Sequence, residues 1–169
     1  FQGTLLNPYY SIAVGQRFLN ERDRFLGTAT LRYDFNDWLY AQGRYNYDYG
    51  VSFSEFDNPG GIGTSVPTNA DGTYKGTYNL SENKGTEINA DFLVGGDKQF
   101  GNFSVDASIG GNTWRVENHN FAQDASNFIV RDLYSIGNGS VRNQSFGYSQ
   151  FRVNSLYGWA GLGFNSMLY

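Results

Sequence analysis

Apolar and polar residues alternate along several stretches of the chain, and an alternation of period two predicts β-strands. The alternating stretches are residues 25–35, 39–49, 86–96, 103–115 and 152–164, and residues 167–169 begin a sixth. Each complete stretch has about 10–14 residues, which is longer than the usual strand of about five or six. The pattern therefore predicts an all-β fold of five to six antiparallel strands that follow one another along the chain.

The connections between the predicted strands alternate between short and long. Turns of a few residues follow the first, third and fifth strands, whereas residues 52–85 and 116–149 are polar stretches that we predict to be long loops. All short turns would then lie on one edge of the sheet. Outer-membrane β-barrels combine this loop asymmetry with strands of about 9–11 residues that cross the bilayer. The pattern favours a membrane barrel over a soluble sheet with one solvated face.

The two faces of the predicted strands differ as a membrane barrel requires. One face carries charges that suit a hydrated lumen, and the other carries apolar residues that suit lipid. For the lumen face we predict Arg32, Arg44, Asp91, Asp106 and Trp114. For the lipid face we predict Leu31, Ala41, Val105 and Leu162. Trp114 is the candidate for substrate contact, because an indole ring can stack on a sugar; packing against a plug or loop is the alternative.

Composition and charge narrow the possible chemistry. The 169-residue chain has a formal net charge of -4, which argues against nucleic acid as a partner. It has no cysteine and a single histidine, His119, which we interpret as a loop residue. We therefore predict no enzyme, no metal site and no cofactor. Asp91 and Asp106 could approach each other in a hairpin, but lumen-lining charge is a better interpretation than a glycosidase carboxylate pair.

Several short motifs occur along the chain in a fixed order. They are residues 7–10 (NPYY), 22–27 (RDRFLG), 31–39 (LRYDFNDWL), 88–92 (INADF), 98–103 (KQFGNF), 107–112 (ASIGGN) and 152–158 (RVNSLYG). This ordered series resembles the SusC/RagA family, the TonB-dependent transporters of Bacteroidota outer membranes. The resemblance covers nearly the whole chain, apart from the two predicted loops.

The resemblance implies a segment of a transmembrane barrel of about 22 strands. We expect residues 1–169 to be part of the barrel, without the plug domain or the TonB box. The implied function is TonB-dependent import of glycans or peptides across the bacterial outer membrane. The implied partners are the rest of the barrel and its plug, membrane lipid, a SusD-like surface lipoprotein and the TonB complex. Two alternatives stay open: a SusC-like scaffold subunit without an import role, and a soluble β-sandwich binding module.

Overall fold

A computed structural model describes residues 15–59 and 68–164. It has five β-strands in one sheet, in the order β1-β2-β3-β4-β5. The strands are β1 (Arg17–Asn36), β2 (Leu39–Pro59), β3 (Tyr74–Phe100), β4 (Phe103–Phe128) and β5 (Gly139–Phe164). One turn of 3-10 helix, Ile136–Asn138, precedes β5. The prediction of an all-β fold with antiparallel strands in chain order is confirmed, and the predicted sixth strand lies outside the described residues.

Every strand is longer than the alternation predicted. Strands β3, β4 and β5 have 27, 26 and 26 residues, and β1 already begins at Arg17. The prediction that residues 52–85 and 116–149 are long loops is wrong, because strand residues occupy most of both ranges. These parts carry Asn, Ser and Gly on both faces. They show no alternation, although the backbone hydrogen bonds of a ladder do not depend on side-chain polarity.

Two tight turns lie close to their predicted positions. Residues 37–38 connect β1 to β2, and residues 101–102 connect β3 to β4. The side-chain oxygen of Asn36 stabilises the first turn by accepting hydrogen bonds from the backbone N–H groups of Trp38 and Leu39, at 3.1 and 2.9 Å. Gly101 permits the second turn, since its φ of 60° is easily adopted without a Cβ. The connections after β2 and β4 are longer, so the short and long connections do alternate.

The chain divides into two compact units, and each unit takes a part of every strand. We call one the turn unit, because it contains both tight turns: Arg24–Tyr49, Gly85–Glu117 and Ser149–Tyr169. The other is the loop unit: Phe1–Asp23, Gly50–Lys84 and Asn118–Tyr148.

The loop unit contains a small hydrophobic core. Among the residues that the structure describes, the buried hydrophobic ones are Tyr78, Ala125 and Phe128, all in this unit. The Phe128 ring meets Tyr134 edge-on at 5.7 Å and covers Gly76, where a Cβ would come within 2.7 Å of it.

A buried asparagine fixes the connection between β4 and β5. The side chain of Asn138 accepts a hydrogen bond from the N–H of Val130 at 2.9 Å and donates to the carbonyls of Val130 and Leu133, both at 2.7 Å. This connection is therefore an ordered, hydrogen-bonded segment, because the amide satisfies the backbone groups that no ladder pairs.

The turn unit has large apolar side chains on one face and nothing over them among the described residues. Leu31, Leu156 and Leu162 are 77%, 84% and 71% exposed. Aromatic contacts between neighbouring strands lie on the same face, with Phe25 near Tyr47 at 6.3 Å and Phe103 near Phe164 at 4.8 Å. This apolar surface therefore forms across the sheet without a protein core to cover it.

Candidate functional site

The opposite face of the turn unit carries a network of polar side chains that begins between β1 and β2. Arg24 binds Asp48 through two contacts, one of them from Nε to Oδ1 at 2.9 Å. A guanidinium fork matches a carboxylate in this paired geometry, which fixes both groups. Thr28 Oγ1 then donates to Asn46 Oδ1 at 3.0 Å, so two successive polar pairs join β1 to β2.

The network continues across β2, β3 and β4. Arg44 Nε donates to Asp91 Oδ2 at 2.9 Å, and the side chain of Asp91 is 11% exposed. Asn112 Nδ2 donates to Asn89 Oδ1 at 2.6 Å, and Asn46 Nδ2 reaches the Asn89 carbonyl at 3.4 Å. The nearly buried carboxylate has a charged partner, as burial of a charge requires.

Trp114 lies at the β4 side of the network. Its indole N–H donates to Glu87 Oε1 at 2.7 Å. Its ring meets Phe151 of β5 edge-on, with 5.5 Å between the centroids. The contacts hold a flat apolar surface beside a carboxylate, an arrangement that can bind a ligand with both an apolar face and hydroxyl groups.

A hollow of about 320 Å³ lies among these groups in the turn unit. Its lining includes Thr28, Asn46, Asp48, Glu87 and Asn89. Hydroxyl, amide and carboxylate groups of three strands therefore converge on one space. They can exchange hydrogen bonds with water or with a polar solute.

The structure brings together three of the five residues that the sequence predicted for the polar face. Arg44, Asp91 and Trp114 belong to the network. Arg32 lies nearer the first turn, where its Nε donates to Asp34 Oδ1 at 3.0 Å and its guanidinium covers the Tyr40 ring at 4.0 Å.

Asp106, the fifth residue, is exposed and takes no part in the network among the described residues. Residues 101–102 form the turn between β3 and β4, so Phe100 lies opposite Phe103 and the turn sets the register of the two strands. In that register Asp91 lies opposite Asn112, six residues from Asp106 and thus about 20 Å away along the strand. The prediction that Asp91 and Asp106 could approach each other is therefore wrong.

The four residues predicted to face lipid are distributed over β1, β2, β4 and β5. Leu31 and Leu162 are highly exposed, whereas Ala41 and Val105 are half-buried. Leu31 is odd-numbered and therefore lies on the face opposite to the even-numbered Thr28 and Arg32, which belong to the polar face. Leu162 is even-numbered like Phe164, which contacts Phe103 on the apolar face. Contact of these residues with lipid stays a prediction.

His119 lies in β4 and not in a loop, so that prediction is wrong. Its ring is 4.8 Å from the ring of Tyr148 and 6.3 Å from that of Phe146, both on β5. This error has the same cause as the mistaken loop boundaries. The alternation of apolar and polar residues ends before the hydrogen-bonded strand ends.

Sequence reasoning did not predict the cross-strand pairing of the other residues of the polar face. These are Arg24, Thr28, Asn46, Asp48, Glu87, Asn89, Asn112 and Phe151. Alternation assigns most of them to the polar face. Their pairing depends on the register of each hairpin, which a shift of the turn by one residue would change.

The loop unit has its own ionic cluster. Arg17 contacts Asp57 at 3.1 Å and Glu55 at 3.0 Å, and the Tyr78 hydroxyl donates to Glu55 at 3.0 Å. Burial raises the pKa of Asp57, and the nearby Arg17 partly opposes this rise. Burial also raises the pKa of Tyr78, and its hydrogen bond to Glu55 adds to the effect. We interpret this cluster as a structural contact that holds β1, β2 and β3 together.

No group of three or more His, Cys, Asp or Glu side chains in residues 15–59 and 68–164 could hold a metal ion. Within the same ranges, no helix has the length and apolar character needed to cross a membrane. No protein-family model matches the sequence, and no curated protein matches it significantly.

Proposed function

We propose that this chain forms part of the wall of an outer-membrane β-barrel, with one face in lipid and the other facing a hydrated lumen. The observation that carries the proposal is the uncovered apolar surface of the turn unit, where leucines are 71–84% exposed on a well-formed sheet. Soluble monomers rarely expose large contiguous apolar patches. Lipid would remove this surface from water.

The apolar surface has the height of a bilayer. On β1 it extends over alternate residues 25–35, on β4 over residues 103–111, and on β5 over residues 156–164. These runs are 11, 9 and 9 residues long, close to the roughly 9–11 residues that a tilted strand needs to cross the hydrocarbon layer. Within the turn unit the same face then becomes polar, with Arg115 on β4 and Arg152 on β5.

The polar network suits a lumen wall. Its arginines are paired across strands, Arg24 with Asp48 and Arg44 with Asp91, so charged groups are held in fixed positions on the face that we propose lines the lumen. The sheet is open, with β1 and β5 as its edge strands. Open edges are not tolerated in lipid, because unpaired backbone groups lose their hydrogen bonds there. We therefore propose that further strands close the barrel.

Together with the ordered motif series, these features support a SusC/RagA-like transporter as the parent protein. Its proposed function is TonB-dependent import of glycans or peptides, with a SusD-like lipoprotein at the cell surface. The short turns would face the periplasm and the longer connections the exterior. Trp114 and Glu87 would contact the substrate, because a ring beside a carboxylate suits a solute with many hydroxyl groups.

Uptake by living cells tests this function. Cells with the full-length gene should accumulate labelled oligosaccharides or peptides, whereas deletion of the gene or of TonB should abolish the accumulation. The Trp114→Ala variant should reduce uptake while the protein still fractionates with the outer membrane. An outer-membrane protein whose deletion leaves uptake of every such substrate unchanged would favour the scaffold role. Recovery in the soluble fraction would refute the membrane proposal altogether.

A further inference from the structure

The apolar face of the turn unit has a groove of about 430 Å³ close to both tight turns. Its lining includes Trp38, Leu39, Val94, Phe100, Val105 and Ile109. The volume falls within the range of about 300–1,000 Å³ that is typical of small-molecule sites. A flat barrel wall would have no such depression, so particular residues must create the groove.

Small residues between large ones create the groove. Gly96 and Ala107 lie along it, flanked by the bulkier lining residues. A Cβ on Gly96 would come within 2.6 Å of the Trp38 carbonyl oxygen and 3.4 Å of its ring. The close approach of the first turn to β3 therefore requires glycine at this position, and this leaves the floor of the groove unfilled.

One cation lies at the groove. The Lys98 ammonium is 4.8 Å from the centroid of the Trp38 ring and 5.3 Å from that of Phe100. Both rings attract the ammonium through their electron-rich faces. The aliphatic part of the side chain can then cover apolar surface while the charge stays near the turns.

An apolar depression whose described lining includes one cation, Lys98, is complementary in charge to an anionic lipid. We propose that the groove binds one acyl chain of a glycerophospholipid, and that the lipid phosphate contacts Lys98. The inference rests on the proposed function, because that proposal turns this face towards the bilayer. The short turns then face the periplasm, so the bound lipid belongs to the inner, phospholipid leaflet.

Native mass spectrometry of the full-length protein extracted in mild detergent tests this site. We expect the wild-type protein to retain one phospholipid. Lys98→Gln, which removes the charge, and Ala107→Leu, which fills the groove, should each lower the retained fraction at least tenfold. Lys84→Gln is the matched control, because Lys84 is on the same strand, has the same even numbering and pairs with Glu82 instead. This control should retain lipid as the wild type does.

Mixed micelles that contain phosphatidylglycerol provide the second measurement. Adding them to delipidated wild-type protein should restore the bound species, and Lys98→Gln should not regain it. The inference is wrong if no lipid is retained, if Lys98→Gln binds as well as wild type, or if the retained lipid is lipid A. Failure of the protein to enter the outer membrane would refute the proposed function. Normal insertion without a retained phospholipid would refute the groove inference alone.

Discussion

The substitution Leu31→Arg distinguishes a lipid-facing barrel wall from a soluble sheet. Leu31 is 77% exposed in the structure and lies five residues before Asn36, the last residue of β1. At about 3.4 Å per residue and a strand tilt of about 40°, this is roughly 13 Å above the turn. Leu31 would therefore lie near the middle of a hydrocarbon layer of about 25–30 Å.

An arginine facing lipid at that depth costs about 2–4 kcal/mol, whereas a substitution at an exposed position in water changes stability by about 0.5 kcal/mol or less. Thr30→Arg is the matched control, because residue 30 has the even numbering of Thr28 and Arg32, which lie on the polar face. The same substitution one residue away should therefore have little effect.

Denaturant titration of the full-length protein folded into phospholipid vesicles measures both variants. Leu31→Arg should lower the folding equilibrium constant by about 30-fold to 1,000-fold, and Thr30→Arg by less than about threefold. Equal effects of the two substitutions, or a larger effect of Thr30→Arg, would refute the assignment of the two faces.

Substitutions at three further residues test the packing and the polar contacts. Phe128→Ala should destabilise the loop unit by about 3–5 kcal/mol, because Phe128 is 1% exposed, and should speed proteolysis at residues 129–138; unchanged cleavage would contradict this. Asp91→Ala should cost about 1 kcal/mol of unfolding free energy, since its partner Arg44 stays hydrated, whereas Asp91→Asn should cost less. The Thr73 hydroxyl and N–H hold the pKa of Asp71 below its usual value. A lowered pKa gives stability above about pH 3.8 that is lost on further acidification. Hydrogen exchange of residues 68–74, corrected for intrinsic rates, should therefore rise at acid pH, and Asp71→Asn should abolish that rise.

The sequence predicts the turn unit well because each side of its sheet has a different environment. The alternation at residues 25–35 and 103–111 located the strands and their faces. The Asn36 turn followed from a polar break between two such runs. The period-two pattern alone therefore predicts the fold class, the antiparallel strand order and the face on which Arg44, Asp91 and Trp114 lie.

The loop unit has no such pattern, and this explains the errors. Around His119 both faces of β4 carry polar side chains, so the sequence looks like a loop although the backbone ladder continues to Phe128. The cross-strand partners were not predictable either. Asn89 meets Asn112 because of the hairpin register, and composition does not determine a register. The groove at Lys98 depends on how closely Trp38 approaches Gly96, which is a property of the folded turn alone.

Site-directed spin labels in the full-length protein, reconstituted in lipid, show directly whether one face of the sheet contacts lipid and the other contacts water. Labels would replace the four predicted lipid-facing residues, Leu31, Ala41, Val105 and Leu162, and two residues of the polar face, Arg44 and Asp106. We expect high oxygen and low nickel-chelate accessibility for the first set, and the opposite for the second, because oxygen concentrates in lipid and the chelate in water. Reversed accessibilities, or chelate access at all six positions, would contradict the assignment of a lipid-facing wall.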